Sequence, residues 1–216
     1  LFNMSKTSTL LIVFALLAIL SVCSAFDYFM FVQRWPGSVC ATSRCNSGAK
    51  RFNYWVIHGL WPQNNDGTWP SNCGARFNAN LISDLIPTLQ TVWPDLERND
   101  EKGFWAHEFD KHGSCSNSTF IKNEHDYFQN SINLQKQINL VNILSQGGIT
   151  TGGSYPANQI YQAVQAVTGS APQLHCIGQK LVELRVCVDK NLRYTNCDQN
   201  EANCGSTVSL PNFKNF

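Results

Sequence analysis

The 216-residue chain has no internal repeat, no low-complexity linker and no block of like charge, so beyond any leader it reads as a single domain. Charged residues are scarce, 14% of the whole, and almost balanced, with 16 Lys and Arg against 15 Asp and Glu. A protein that gripped a polyanion by bulk electrostatics would be strongly basic, so any such contact here has to be concentrated in one place. No Cys-x-x-Cys ligand pair is present, and no carboxylate cluster that would gather divalent ions. The paired glycines Gly147-Gly148 and Gly152-Gly153 lack dinucleotide-fold or Walker spacing, and read as turns rather than a phosphate cradle. A long hydrophobic span is missing too. The apolar run Leu10 to Leu20 is too short to cross a bilayer comfortably, and it lies between Lys6 and the small residues Ser21-Val22-Cys23-Ser24-Ala25. That pattern predicts a secretory signal peptide over residues 1–25, cleaved after Ala25, with no membrane anchor and a secreted or vacuolar destination.

What is abundant is chemistry in two short stretches. WVIHGLWP (Trp55 to Pro62) and FWAHEFDKHGSC (Phe104 to Cys115) hold three of the five histidines, with a glutamate, a lysine and several aromatic rings beside them. Histidine gives and takes protons near neutrality, so converging histidines suit general acid–base catalysis. A lysine beside them is useful where negative charge builds up during reaction, as on a phosphoryl group.

HEFDKH invites comparison with the HExxH helix of zinc proteases but is one residue too long. His107 and His112 are five apart, about 140° round a regular helix, and do not grip one metal from it. The spacing instead sets His107 beside Lys111 and Glu108 beside His112, each pair at i and i+4. No metal and no cofactor is expected.

Both stretches resemble the two active-site segments of the T2-type ribonucleases, here most like the plant S-like branch. The likeness extends to FDYFMFVQRWPGSVC (Phe26 to Cys40), to DGTWPSNC (Asp66 to Cys73) and to the Cys176–Cys204 region, and so covers most of residues 26–216. It implies that His58 is the general acid, His112 the general base, and His107, Glu108 and Lys111 the groups that bind and stabilise the phosphate. Arg34, Leu96, Glu97 and Phe104 fall where relatives form the pocket for the base after the scissile phosphate. Arg34 and Glu97 depart from the glutamine and apolar residue of some relatives, so base preference does not carry over. Phe109 stands where the family usually has tryptophan, which points to a packing difference rather than lost activity.

Each residue also has a plainer meaning. His58 alone would pass for a satisfied core histidine, and Glu108 with Lys111 for a solvated helix-surface pair. Trp55, Trp69 and Trp105 are expected to be core rings, with Trp61 the exception that stacks on a base. A catalytically silent relative serving in storage, defence or binding is the alternative, although such a chain would be expected to have lost one of His58, His107 or His112.

Removing residues 1–25 takes away Lys6 and Cys23, leaving 15 basic residues against 15 acidic ones and eight cysteines. An even number in a secreted chain implies disulfides, without saying which. The resemblance selects Cys40–Cys45, Cys73–Cys115, Cys176–Cys204 and Cys187–Cys197, the second strapping the two motifs across one cleft. The sequon Asn117-Ser118-Thr119 marks Asn117 as a candidate glycosylation site.

The overall pattern is α+β. Strands are expected over Phe26 to Trp35, Asn53 to Leu60 and Leu181 to Val188, where Val182, Leu184, Val186 and Val188 alternate with polar partners. Helical spacing appears at Leu81, Leu85 and Leu89, with Pro87 as a kink, at Ile138, Val141 and Leu144, and at Ile160, Val164 and Val167. The resemblance implies a central antiparallel sheet with helices around it, in a single disulfide-bonded domain, and a monomeric, metal-independent endoribonuclease acting on single-stranded RNA through a 2′,3′-cyclic phosphate.

Overall fold

Alternation along three strands builds the centre. In the computed structural model, which describes residues 26–212, β1 (Tyr28–Arg34) lies between β2 (Val56–Gln63) and β5 (Lys180–Asp189), antiparallel to both. Cross-strand partners share a sheet face. Phe29, Phe31 and Gln33 therefore go with Val188, Val186 and Leu184, while Met30, Val32 and Arg34 go with Cys187, Arg185 and Glu183. Two short strands, β3 (Ser154–Pro156) and β7 (Thr207–Ser209), extend the sheet, in the order β2-β1-β5-β7-β3. β4 (Gln173–Ile177) and β6 (Tyr194–Thr195) also pair with β5. The pairings are antiparallel except for a single parallel bridge, Lys180 with Ser209, between β5 and β7.

The face carrying Phe29, Phe31 and the valines is covered by helices. α1 (Pro36–Thr42) comes directly after β1, and α2 (Ile86–Val92), α3 (Glu101–Lys111), α4 (Glu124–Gln137), α5 (Leu140–Gln146) and α6 (Ala157–Thr168) succeed it in chain order. Trp93, Trp105, Phe109, Tyr127, Phe128, Ile160 and Val164 join the strand residues in one buried cluster. Gln33 is also buried on this face, and its amide is used: Nε2 donates to the Ile138 carbonyl at 3.0 Å, tying β1 to the end of α4.

Two helix expectations change. Pro87 does not kink a helix; it sits in the first turn of α2, where a missing N–H costs nothing. The apolar spacing from Ile138 to Leu144 is not one helix, because Asn139 caps a new one with its side chain on the Asn142 N–H, leaving Ile138 as the C-cap of α4. The paired glycines do turn the chain, with φ of 72° at Gly148 and 90° at Gly152.

The four disulfides join Cys40 to Cys45, Cys73 to Cys115, Cys176 to Cys204 and Cys187 to Cys197, the pairs implied by the resemblance. Asn117 is exposed just beyond Cys115. The leader expected over residues 1–25 lies outside the described residues. Among those described, no helix is long and apolar enough to cross a membrane.

Candidate active site

His58 owes its aim to an irregularity. Along β1 and β2, Val32 pairs with Gly59 but Gln33 pairs with Ile57, so His58 is the extra residue of a bulge. Bulges redirect side chains and recur beside active sites. The ring is 5.0 Å from Trp61 and 5.9 Å from Phe104 between centroids. Nδ1 lies 2.6 Å from Glu183 Oε1, and Nε2 lies 3.9 Å from Glu108 Oε1. The backbone is pinned as well, since the Trp93 indole N–H donates to the His58 carbonyl at 2.9 Å.

The second motif is α3 and its end. Asp100 caps the helix on the Gly103 N–H, and Trp105 and Phe109 drive one side of it into the core. Glu108 is buried on that side, whereas His107 and Lys111 lie on the flank facing His58. His112 is the C-cap, so the i, i+4 relation with Glu108 survives as a backbone bond, His112 N–H to Glu108 carbonyl at 3.0 Å. Phe109 packs on Tyr127 and Phe128, away from the cleft, which accounts for an aromatic ring there without an indole N–H.

Trp61 joins the two motifs. Its indole N–H donates to Glu108 Oε2 at 2.8 Å, and its ring stacks on His112 with centroids 5.2 Å apart. Gly59 makes this possible, because a Cβ at that position would run into both the Trp61 ring and the Glu108 carboxylate. His112 itself is almost fully covered, and its Nδ1 has no partner among the described residues. Burial, helped by the positive charges of Lys111, His58 and His107, lowers its pKa from 6.5 to about 3. An imidazole so placed stays neutral, in the form that accepts a proton.

Two cavities meet at this set. One, of about 280 Å³, is lined by Arg34, Asp95, Glu97 and Phe104; the other, of about 250 Å³, by Trp61, Gln63, Trp69, Lys111, His112 and Glu201. His58, His107 and Glu108 border both. In the first, Arg34 lies over the Phe104 ring at 5.1 Å and 3.6 Å from Glu97.

Several sequence expectations need correction. Leu96 does not line the first cavity: it is fully buried with Val39, Phe52, Val56 and Val182. The loop curls round the Asp95 carboxylate, which accepts the N–H groups of Glu97, Arg98 and Asp100 and leaves Leu96 on the inside. Trp55 and Trp105 are core rings, but Trp69 is 48% exposed on the rim of the second cavity. Trp61 is only partly open, its ring lying against His112 and 5.7 Å from the Arg185 guanidinium. Glu183 and Arg185 escape sequence reasoning altogether. Their alternation with valines and leucines reads as a solvent face, yet both are buried on the site side of β5. Opposite charges two residues apart on one strand are the available signal. Among the described residues, no group of three or more His, Cys, Asp or Glu side chains is arranged to hold a metal ion.

Comparisons with known proteins identify the family. The sequence pattern of the Ribonuclease T2 family matches residues 26–197. Extracellular ribonuclease LE of Solanum lycopersicum is 36% identical over 94% of this chain and 95% of its own length. Intracellular ribonuclease LX of the same organism is 33% identical over 94% and 92%. The crystal structure of RNase NT in complex with 5′-AMP superimposes with a TM-score of 0.79 at 34% identity, covering 87% of this chain and 99% of that one. With the family pattern over most of its length and the fold shared across nearly all of that structure, the chain belongs to the ribonuclease T2 family.

Proposed function

We propose that the protein is an endoribonuclease that cleaves single-stranded RNA by transphosphorylation, without a metal ion. The neutral His112 imidazole takes the proton of the 2′-hydroxyl, and the 2′-oxygen forms its bond to phosphorus. The bond from phosphorus to the 5′-oxygen breaks as His58 Nε2 gives that oxygen its proton. The products are a 2′,3′-cyclic phosphate and a free 5′-hydroxyl. Lys111 and His107 hold the charged phosphoryl oxygens, and Glu108, anchored by Trp61, steers the crowded phosphorane.

The single observation that carries this reading is the pairing of His58, aimed by a strand bulge, with a buried neutral His112 across one cleft. Two cavities either side of the shared His58, His107 and Glu108 suit nucleosides on both sides of one phosphate. One nucleoside would lie against Trp61 and Trp69, the next against Phe104 and Arg34. RNase NT was solved in complex with 5′-AMP, which fits a nucleotide-containing substrate. The four disulfides fit an oxidising, secretory route, with residues 1–25 removed as the leader and Asn117 available for a glycan. Incubating the purified protein with end-labelled RNA is the first test: progressive endonucleolytic cleavage supports the reading, and intact RNA would favour a silent relative.

A further inference from the structure

The proton-donating nitrogen of a histidine is chosen by what its other nitrogen touches. In this site that partner is Glu183. Its Oε1 lies 2.6 Å from His58 Nδ1, while its Oε2 accepts two bonds from Arg185, from Nε at 3.0 Å and Nη2 at 2.7 Å. Arg185 is fixed in turn by the Gln173 side-chain oxygen and by Glu201 Oε2 at 3.2 Å. Glu183 and Arg185 are each 6% exposed. A buried ion pair of this kind is poor evidence of stability, because desolvation offsets most of the attraction. The division of labour between the two carboxylate oxygens is more telling, one being given wholly to the imidazole and the other to the guanidinium.

This arrangement constrains His58 in two ways. A carboxylate accepts a hydrogen bond and does not donate one, so Nδ1 carries a proton and the exchangeable proton of catalysis belongs to Nε2, the nitrogen on the Glu108 side. The ring plane is fixed as well, since a bulge residue has no regular sheet pairing to hold it and Glu183 supplies a fixed point from β5 in the same sheet. Burial alone would raise the Glu183 carboxyl; the charge and hydrogen bond of His58, then Arg185, outweigh it and hold the group well below the carboxylate range.

We propose that Glu183, held by Arg185, is a positioning residue for the leaving-group proton transfer, fixing the tautomer and orientation in which His58 delivers its Nε2 proton to the departing 5′-oxygen. The inference rests on the reading of His58 as general acid, and the test separates the two. A dinucleoside phosphate leaves as an alkoxide and needs that proton. Uridine 3′-(4-nitrophenyl phosphate) leaves as a stable phenolate and does not, although both need the 2′-oxygen as nucleophile. In Glu183→Leu, kcat for the dinucleotide should fall roughly 10–100-fold with KM little changed, while the aryl ester is turned over within about twofold of wild type. Glu183→Gln keeps an acceptor for Nδ1–H and should recover part of the loss. In the wild-type protein, nitrogen NMR of neutral His58 should show the proton on Nδ1.

Equal losses on both substrates, no loss on either, or neutral His58 protonated on Nε2 alone would overturn the proposal. If Glu183→Leu does not fold, Glu183→Gln and the wild-type tautomer decide it. His58→Ala is the control for the underlying reading: equal losses on both substrates there would remove the general-acid role itself, whatever Glu183 does.

Discussion

Trp61 and Glu108 are bonded to each other across the sheet–helix junction, indole N–H to carboxylate at 2.8 Å, and this hydrogen bond couples the two active-site motifs. Glu108 is almost fully buried, and the indole N–H satisfies one of its carboxyl oxygens. Trp61→Phe keeps the ring against His112 and removes only the N–H. The unfolding free energy should drop by about 1–3 kcal/mol, with RNA cleavage also reduced, as read by denaturant titration and a steady-state assay. Unchanged stability would show that the bond does not hold the motifs together.

His58→Ala and His112→Ala should each lower RNA cleavage by about 10²–10⁴-fold while the far-ultraviolet spectrum stays that of the folded protein. Full activity in either folded variant would contradict its assigned role.

In the proposed mechanism the pKa of His112 sets the acid side of the pH profile. An ordinary imidazole would be protonated below about 6.5, whereas this one stays neutral to about 3, so the base remains available as the pH falls through the mildly acidic range. The acid limb of kcat/KM should therefore lie well below pH 6.5. Lys111→Gln removes one cause of the lowered value and should move that limb towards neutrality. The same shift weakens the fold in acid: between pH 6.5 and about 3 the unfolded chain binds a proton at His112 that the folded chain does not. That part of the stability is complete above 6.5 and is lost as the pH falls, so His112→Gln should show a flatter decline in acid than wild type.

Cys73–Cys115 spans 42 residues of sequence and ends three residues after His112. Replacing both cysteines by alanine should cost roughly 2–4 kcal/mol of stability in thermal or denaturant unfolding. A variant as stable as wild type would mean that helix α3 and its flanking loop need no strap.

The site is legible in the sequence wherever a local pattern carries it. His58, His107, Glu108, Lys111 and His112 stand in two contiguous stretches, and the structure gathers them at one cleft. The three long strands are visible from their β-branched and aromatic runs, within a few residues at their ends. What escapes depends on tertiary placement. The bulge at His58 comes from the register of β1 on β2, which no single strand reveals. Glu183 and Arg185 look like a wet strand face until β1 and β4 flank them. Leu96 and Trp69 exchange their expected places because the Asp95 turn pulls the leucine in, while the Asn64–Thr68 loop leaves the tryptophan outside. Helix α4 is hidden because its apolar residues, Tyr127, Phe128, Ile132 and Leu134, are diluted by polar ones.

The most direct test of the account is to compare RNA with the same oligonucleotide carrying one deoxyribose at the scissile position, each in excess EDTA. In the proposed reaction a cleft built from three histidines, a lysine and a glutamate takes its nucleophile from the substrate, whose 2′-hydroxyl is attached next to the phosphorus. Undiminished cutting of the all-ribose strand, a transient 2′,3′-cyclic phosphate by mass spectrometry and no cutting at the deoxy position are the predicted results. Cleavage at the deoxy position, or activity lost to EDTA and restored by zinc or magnesium, would show that water is the nucleophile and that His112 and Lys111 do not act as described.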